Sequence, residues 1–232
     1  MKKIGIIGAM ELEVETLKSK MEIKSTTTKA RMEFFEGTLN GVEVVIVRSG
    51  IGKVNAGMCT QILSDLFGVT HIINTGVAGS LNAAIDIGDI VVSTEVLQHD
   101  VDATNFGYPL GEIPQIGTLT FPADEKMAAL AKEVCEKVNT EIKVFSGLIV
   151  SGDQFVADKA VKQRITDNFH GLCTEMEGAA VGQAAYLNGV PFVILRAISD
   201  KADDSAEMDY PTFEHKAAEH CAKLVESFIG EL

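Results

Sequence analysis

The stretch from Cys173 to Asp200, CTEMEGAAVGQAAYLNGVPFVILRAISD, is the part of the chain that most limits its fold. Residues 178–187 are small or apolar on every side, with Gln183 the one strongly polar position. A helix without a polar face is a buried helix. Asn188-Gly189 is a natural stop for it. Residues 190–198 then form an apolar run interrupted by Pro191 and Arg196, the pattern of a central strand in a parallel sheet. That strand delivers Ser199 and Asp200 at its carboxyl end. Glu175 and Glu177 stand just before the helix, where unpaired N–H groups and the positive end of the dipole favour negative charge. Ligands of open α/β sheets bind at the carboxyl ends of strands, so three carboxylates and one Arg collect at one sheet edge. Taken singly, an acid at a helix start is a cap and an Asp after a strand is a turn residue. With a buried helix and an Arg inside an apolar strand, the same groups describe a site that binds hydroxyls and handles a proton.

Strands and helices alternate along the rest of the chain. Residues 4–7 are a short β-rich run ending at Gly8-Ala9-Met10, and 11–21 carry a helix with the apolar stripe Met10, Val14, Leu17 and Met21. Glu11, Glu13 and Glu15 lie off the stripe as ordinary partners of the helix dipole. Periodicity does not choose between Glu11 and Glu13, which flank the stripe on opposite sides. Residues 32–39 and 42–47 read as strands joined at Asn40-Gly41, a strong hairpin signal. Ser49-Gly50-Ile51-Gly52-Lys53 is not a Walker loop, because Val47 and Val54 occupy positions that need Gly and Ser or Thr. Its glycines fit a tight turn into a helix over 53–66.

Residues 71–74 form another buried strand, ending in Thr75-Gly76-Val77-Ala78-Gly79, where glycines either turn the chain or let backbone approach a ligand. A strand over 88–96 leads to His99-Asp100 and a long irregular stretch, 101–121, with Phe106, Tyr108, Pro109 and Pro114. Loops of that length tend to be functional, and these aromatics fit a lid, a partner-subunit contact or a packed loop. A helix over 127–138, a strand over 143–151 and a helix over 161–168 precede the central stretch. Residues 201–209 are polar and read as a loop, and 211–230 close the chain as an amphipathic helix with Phe213, Ala217, Leu224 and Phe228 among its apolar positions. The reading is a single α/β domain over 1–232 with a largely parallel or mixed sheet.

A formal net charge of −13 argues against nucleic-acid or anionic-membrane partners. Cys59, Cys135, Cys173 and Cys221 show no C-x-x-C spacing and read as reduced, buried thiols of a cytoplasmic protein. The five His residues make no metal-binding pattern. The apolar run after Met1-Lys2-Lys3 is too short for a signal peptide, and no later run is long enough to span a bilayer.

Seven segments resemble one known family in its own order: GIIGAMELEVE at 5–15, SGIGKVNA at 49–56, INTGVAG at 73–79, HDVDATNFGY at 99–108, GLIVSGDQF at 147–155, EMEGAA at 175–180 and RAISD at 196–200. The family is 5′-methylthioadenosine/S-adenosylhomocysteine nucleosidase, of the purine nucleoside phosphorylase-like superfamily. The resemblance implies a three-layer α/β/α sandwich around a mixed, partly closed β-sheet, a homodimer and no cofactor. It implies hydrolysis of the N-glycosidic bond of methylthioadenosine, S-adenosylhomocysteine and 5′-deoxyadenosine, in methionine salvage and methyl-cycle recycling. By motif position, Asp200 becomes the acid that protonates departing adenine, and Glu13, rather than Glu11, activates water. Glu177 binds ribose hydroxyls beside Met176 and Glu175, and Arg196 helps place Glu177 and the water. Phe155 stacks on the purine and the Val156 backbone reads its edge. Met10, Ile51 and Phe213 line the ribose and thioalkyl pocket, with Val77, Ala78, Gly79 and Ser199 also against substrate. Ala103, Phe106 and Pro114 reach in from a partner subunit.

The chemistry fits these residue types. Loss of adenine leaves an oxocarbenium-like sugar, which fixed carboxylates stabilise. Adenine is a poor leaving anion and departs protonated, so burial must keep an acid such as Asp200 protonated near neutral pH. Two departures from the family pattern bear on substrate preference: Val77 stands where many relatives carry Ser, and Asn105 adds a polar residue before the lid aromatic. Three rivals remain at this level: a phosphorylase on the same fold, a nucleosidase for a futalosine-type nucleoside, and a non-catalytic nucleoside-binding protein. Against the first, Glu11, Glu13 and Glu15 follow the first strand and Asn74 precedes Thr75-Gly76, where an anion site calls for Arg.

Overall fold

Burial on both faces of successive strands, flanked by one-sided helices, sets the architecture. The computed structural model describes residues 2–203 and 205–232. Met1, read in the lead to the first strand, and Asp204, read in the 201–209 loop, lie outside the described residues.

Strand β1 (Lys3–Gly8) enters a 3-10 turn (Glu11–Glu13) and then a short helix α1 (Glu15–Lys20). The continuous helix expected over 11–21 is therefore broken. The cause is Glu13, whose carboxylate folds back to accept the N–H groups of Ala9 and Met10 at 2.7 and 3.0 Å and tightens the first turn. Strands β2 (Glu22–Lys29), β3 (Met32–Leu39) and β4 (Val42–Arg48) form a meander. Asn40 and Gly41 join the last two with φ of +51° and +80°, the left-handed pair of a type I′ hairpin. Helix α2 (Lys53–Phe67) and strands β5 (His71–Ser80) and β6 (Ile90–Gln98) follow, then β7 (Phe121–Pro122), α3 (Glu125–Val138), β8 (Val144–Ser151) and α4 (Lys159–Phe169). Strand β9 (Cys173–Glu175), helix α5 (Gly178–Asn188), strand β10 (Phe192–Asp200) and helix α6 (Ala206–Glu231) complete the chain. Helix α6 begins inside the stretch expected as a loop, because Pro211 lies within the helix rather than at its start.

The ten strands make one mixed sheet in the order β10-β6-β8-β9-β5-β1-β4-β3-β2, with β7 paired to β6. A further parallel pairing of β10 with β5 closes β5, β10, β6, β8 and β9 into a ring. The sheet is thus partly closed, with β1, β4, β3 and β2 as an open wing. Helices α2 and α5 cover one face through Ala56, Cys59, Leu63, Ala179 and Val181, and α1, α3 and α6 cover the other through Leu17, Met127, Val134, Leu224 and Phe228. The result is a three-layer α/β/α sandwich. Gly182 lets α5 sit close to the sheet: a Cβ there would lie 2.4 Å from Val96 Cγ2. Helix α5 is not buried all round, however. Tyr186 and Leu187 at its C-terminal end are exposed, and so are Val54 and Met58 on α2. The four cysteines are buried and unpaired. No helix among the described residues is long and apolar enough to cross a membrane.

Candidate active site

A cavity of about 480 Å³ opens where β1, β5, β9 and β10 end. From the β1 end come Met10 and Glu13; from β5 Val77, Ala78 and Gly79; from the β4–α2 turn Ile51. Phe155 and Val156 follow β8, Glu175, Met176 and Glu177 bridge β9 and α5, and Ser199 and Asp200 end β10. Carboxylates thus cluster in a largely apolar bowl, the composition expected of a small-molecule site.

Glu13 is buried and accepts from Val77 N–H at 3.1 Å as well as from Ala9 and Met10. Burial pushes its carboxyl above the usual range, against the pull of Arg196 and the three N–H groups. Glu11 instead pairs with Lys18 and Arg48 and does not line the cavity. Asp200 is raised by burial too, although Ala202 N–H at 2.7 Å and Ser199 Oγ at 2.9 Å favour its charged form. Asp200 pairs in register with Gly79, and Glu13 meets the same strand at Val77. Two residues along a strand are roughly 7 Å, so the two carboxylates stand over points about that far apart.

The start of α5 explains why two neighbouring glutamates differ. One oxygen of Glu175 accepts from the N–H groups of Glu177 (3.0 Å) and Gly178 (2.8 Å), while Ser151 Oγ accepts from Ala179 N–H (2.7 Å) and donates to the other oxygen of Glu175. Glu175 and Ser151 therefore satisfy the unpaired donors of the first turn. Arg196 donates to the same carboxylate through Nε (3.2 Å) and Nη2, with both side chains almost wholly buried. Against the effect of burial, Arg196 and these donors hold Glu175 below the usual carboxylate range. Glu177, relieved of capping, accepts from Gly52 N–H at 2.7 Å. Burial first, and then the negative Glu175 beside it, push Glu177 up to about 8.

Two expected residues sit outside the cavity lining. Arg196 makes no direct bond to Glu177: it bonds Glu175, Asn74 and the Leu195 carbonyl, and the Glu175 oxygen it holds also accepts from Glu177 N–H. Its register partner is Gly76, where an added Cβ would lie 3.4 Å from Arg196 Nη1 but 2.5 Å from Glu13 Oε1. Phe213 is half-buried outside the cavity, and Tyr210, three residues earlier on α6, lines it instead. Tyr210 donates to Met10 Sδ at 3.2 Å and meets the Phe155 ring edge-on at 5.6 Å. A helix starting at Pro211 leaves Tyr210 outside it, between the 201–209 loop and the helix; in the structure Tyr210 lies within α6. Ala9, Gln154 and Thr174 also line the cavity; Ala9 and Gln154 fall within the family-like segments 5–15 and 147–155, and Thr174 just precedes 175–180. Ala103, Phe106 and Pro114 do not line this chain's own cavity; Ala103 is buried, Pro114 is exposed and Phe106 is 83% exposed.

A family model described as the phosphorylase superfamily matches residues 3–230. The 5′-methylthioadenosine/S-adenosylhomocysteine nucleosidase of Halalkalibacterium halodurans is 46% identical over 233 residues, covering 100% of both chains. The chain belongs to the 5′-methylthioadenosine/S-adenosylhomocysteine nucleosidase family. The Neisseria meningitidis member of this nucleosidase family, solved in complex with methylthio-immucillin-A, superposes with a TM-score of 0.96 at 39% identity and covers 100% of both chains. The futalosine hydrolase of Helicobacter pylori is similar as well, with a TM-score of 0.94 at 37% identity over 100% of this chain and 98% of that one. The three-layer, partly closed sheet is thus the nucleosidase family's fold.

Proposed function

We propose that Glu13 and Asp200 divide the work of an N-glycosyl hydrolase acting on 5′-methylthioadenosine and S-adenosylhomocysteine, the activity that family membership gives the chain. The observation that carries the division is their placement: two buried carboxylates, both raised, over Val77 and Gly79 of one strand. Glu13 accepts a proton from water as the water oxygen bonds to the anomeric carbon. The electron pair of the breaking C–N bond passes to adenine, which takes the proton of Asp200. A raised acid holds its proton to higher pH than an ordinary carboxyl, and a raised base is better matched to taking one. The ionised form of Glu13 faces the positive charge that develops on the sugar. Glu177 takes the ribose hydroxyls, Phe155 stacks on the purine with the Val156 backbone at its edge, and Met10, Ile51 and Tyr210 enclose the thioalkyl end.

Adenine release in phosphate-free buffer tests this. The expected products are adenine and free methylthioribose, with no stimulation by phosphate, because a carboxylate at the attacking face opposes a phosphate dianion. Glu13→Gln should nearly abolish turnover while nucleoside still binds. A sugar 1-phosphate would overturn the reading in favour of phosphorolysis. The likeness to futalosine hydrolase supports a second reading at the level of substrate, decided by kinetics on a panel of 5′-substituted nucleosides.

The same reading makes the protein a cytoplasmic homodimer serving methionine salvage and methyl-cycle recycling, with 5′-deoxyadenosine as a further substrate. The exposed apolar residues Val54, Met58, Tyr186 and Leu187 on α2 and α5 support a subunit contact there. Phe106, with Ala103 and Pro114, would then complete the neighbouring cavity.

A further inference from the structure

We propose that Lys53, Asp100 and Asp153 form a positioning clamp that fixes the sugar-side and purine-side walls of the cavity relative to each other. The inference rests on the nucleosidase reading for which wall serves which part of the substrate. Three loops from three strand ends meet here: the β4–α2 turn, the end of β6 and the end of β8. One oxygen of Asp100 accepts from Lys53 Nζ, and the other accepts from Asp153 N–H at 2.9 Å. Asp153 Oδ1 in turn accepts from Lys53 N–H at 2.8 Å, closing a cycle of three residues. Lys53 Nζ also donates to Gln98 at 3.0 Å.

None of the three lines the cavity, yet Lys53 and Asp153, which Asp100 ties together, stand close in the chain to residues that do. Lys53 follows Ile51 and Gly52, and Gly52 N–H is the donor that holds Glu177. Asp153 precedes Gln154, Phe155 and Val156 on the purine side. Space is tight on both arms. A Cβ on Gly52 would lie 3.1 Å from Asp153 Oδ1, and one on Gly152 would lie 2.4 Å from the His99 ring. An exposed ion pair contributes little. This one is different: the Lys53 and Asp100 side chains are 17% and 23% exposed, and each oxygen of Asp100 has its own donor. Because the cycle joins both walls, losing Asp100 or the Lys53 ammonium loosens both and leaves the Lys53 N–H to Asp153 bond as their one remaining tie within the cycle. Sub-ångström placement of purine and sugar is where enzymes of this kind are sensitive.

The test uses the full-length protein with Asp100→Asn, Lys53→Met, the double variant and Lys53→Arg. KM for methylthioadenosine should rise roughly 10- to 100-fold in each of the first two, more than kcat falls. The double variant should be no worse than the worse single, since the three act as one unit, and Lys53→Arg should recover much of the loss. Unchanged KM in the folded single variants, or losses that multiply in the double, would overturn the clamp. Hydrogen exchange supplies a readout independent of turnover: Asp100→Asn should speed exchange in 49–53 and 152–156 together, and a change confined to one segment would also count against it. Should Lys53→Met not fold, Lys53→Arg and Asp100→Asn decide on the same measures. A wild-type chain that releases no adenine would sink the functional reading alone, and the exchange experiment would still judge the clamp.

Discussion

Gly76 leaves open the space that the Glu13 carboxylate occupies: a Cβ on residue 76 would lie 2.5 Å from Glu13 Oε1 and 3.4 Å from Arg196 Nη1. The obstructed atom is the tip of a side chain, not backbone, so it can move without unfolding its surroundings. Gly76→Ala should therefore lower kcat by roughly 10²-fold through a displaced base, with a small change in melting temperature. Steady-state kinetics beside thermal unfolding check this. A large loss of stability with kcat per folded molecule unchanged would contradict it.

Asp200→Asn should reduce kcat by roughly 10²–10⁴-fold with little loss of binding. A substrate whose leaving group needs no ring protonation should be much less affected. Burial raises Asp200, so its proton is retained above the usual carboxylate range and the alkaline fall of kcat reports its loss. That limb should vanish in the variant. Equal losses on both kinds of substrate would remove Asp200 from the role of acid.

Glu177 makes the free protein sensitive to pH. Below about 4.5, its ordinary value, it is neutral whether folded or unfolded. Between there and about 8 the unfolded chain ionises it while the folded chain keeps the proton, so stability falls as pH rises. Glu175, held low, acts in the opposite sense and loses its contribution on acidification. Glu177→Gln should thus raise the melting temperature at pH 8 by more than roughly 3 °C, the shift that about 1 kcal/mol produces in a chain of this size. The gap should shrink to nothing at pH 4. Calorimetry at both pH values measures it, and a gap that persists in acid would mean the gain has another origin.

Sedimentation should give a species near twice the 24.9 kDa chain mass. Val54→Asp with Leu187→Asp should dissociate it, because both substitutions put charge on the exposed apolar face of α2 and α5. Phe106→Ala should raise KM without dissociating it. Full activity from a monomer would refute the shared pocket.

What the sequence made legible follows from how strongly each segment is buried. Strand β10 is buried at every residue, and its apolar run is visible at once. Strand β2 went unread because EIKSTTTK is exposed along nearly its whole length and carries no alternation. The start of α6 was hidden by Pro211, and with it went Tyr210 as a cavity residue. Residue spacing alone left Glu11 and Glu13 equivalent; resemblance singled out Glu13, and it is Glu13 that the fold turns into the cavity. Spacing gave no means of seeing that Arg196 answers to Glu175, since that choice depends on Ser151 and Asn74, which are distant in the chain.

Closure of the strand ring through β5 and β10 also governs when the protein becomes competent during synthesis. Phe192 must find Ile72, and Asp200 must find Gly79, across about half of the chain. Such non-local pairings form late and slowly. A nascent chain that has not yet released β10 from the ribosome has Glu13 and Val77 but neither the ring nor Asp200. On this placement a fragment ending before β10 should neither bind nucleoside nor release adenine, because the ring that shapes the cavity is still open.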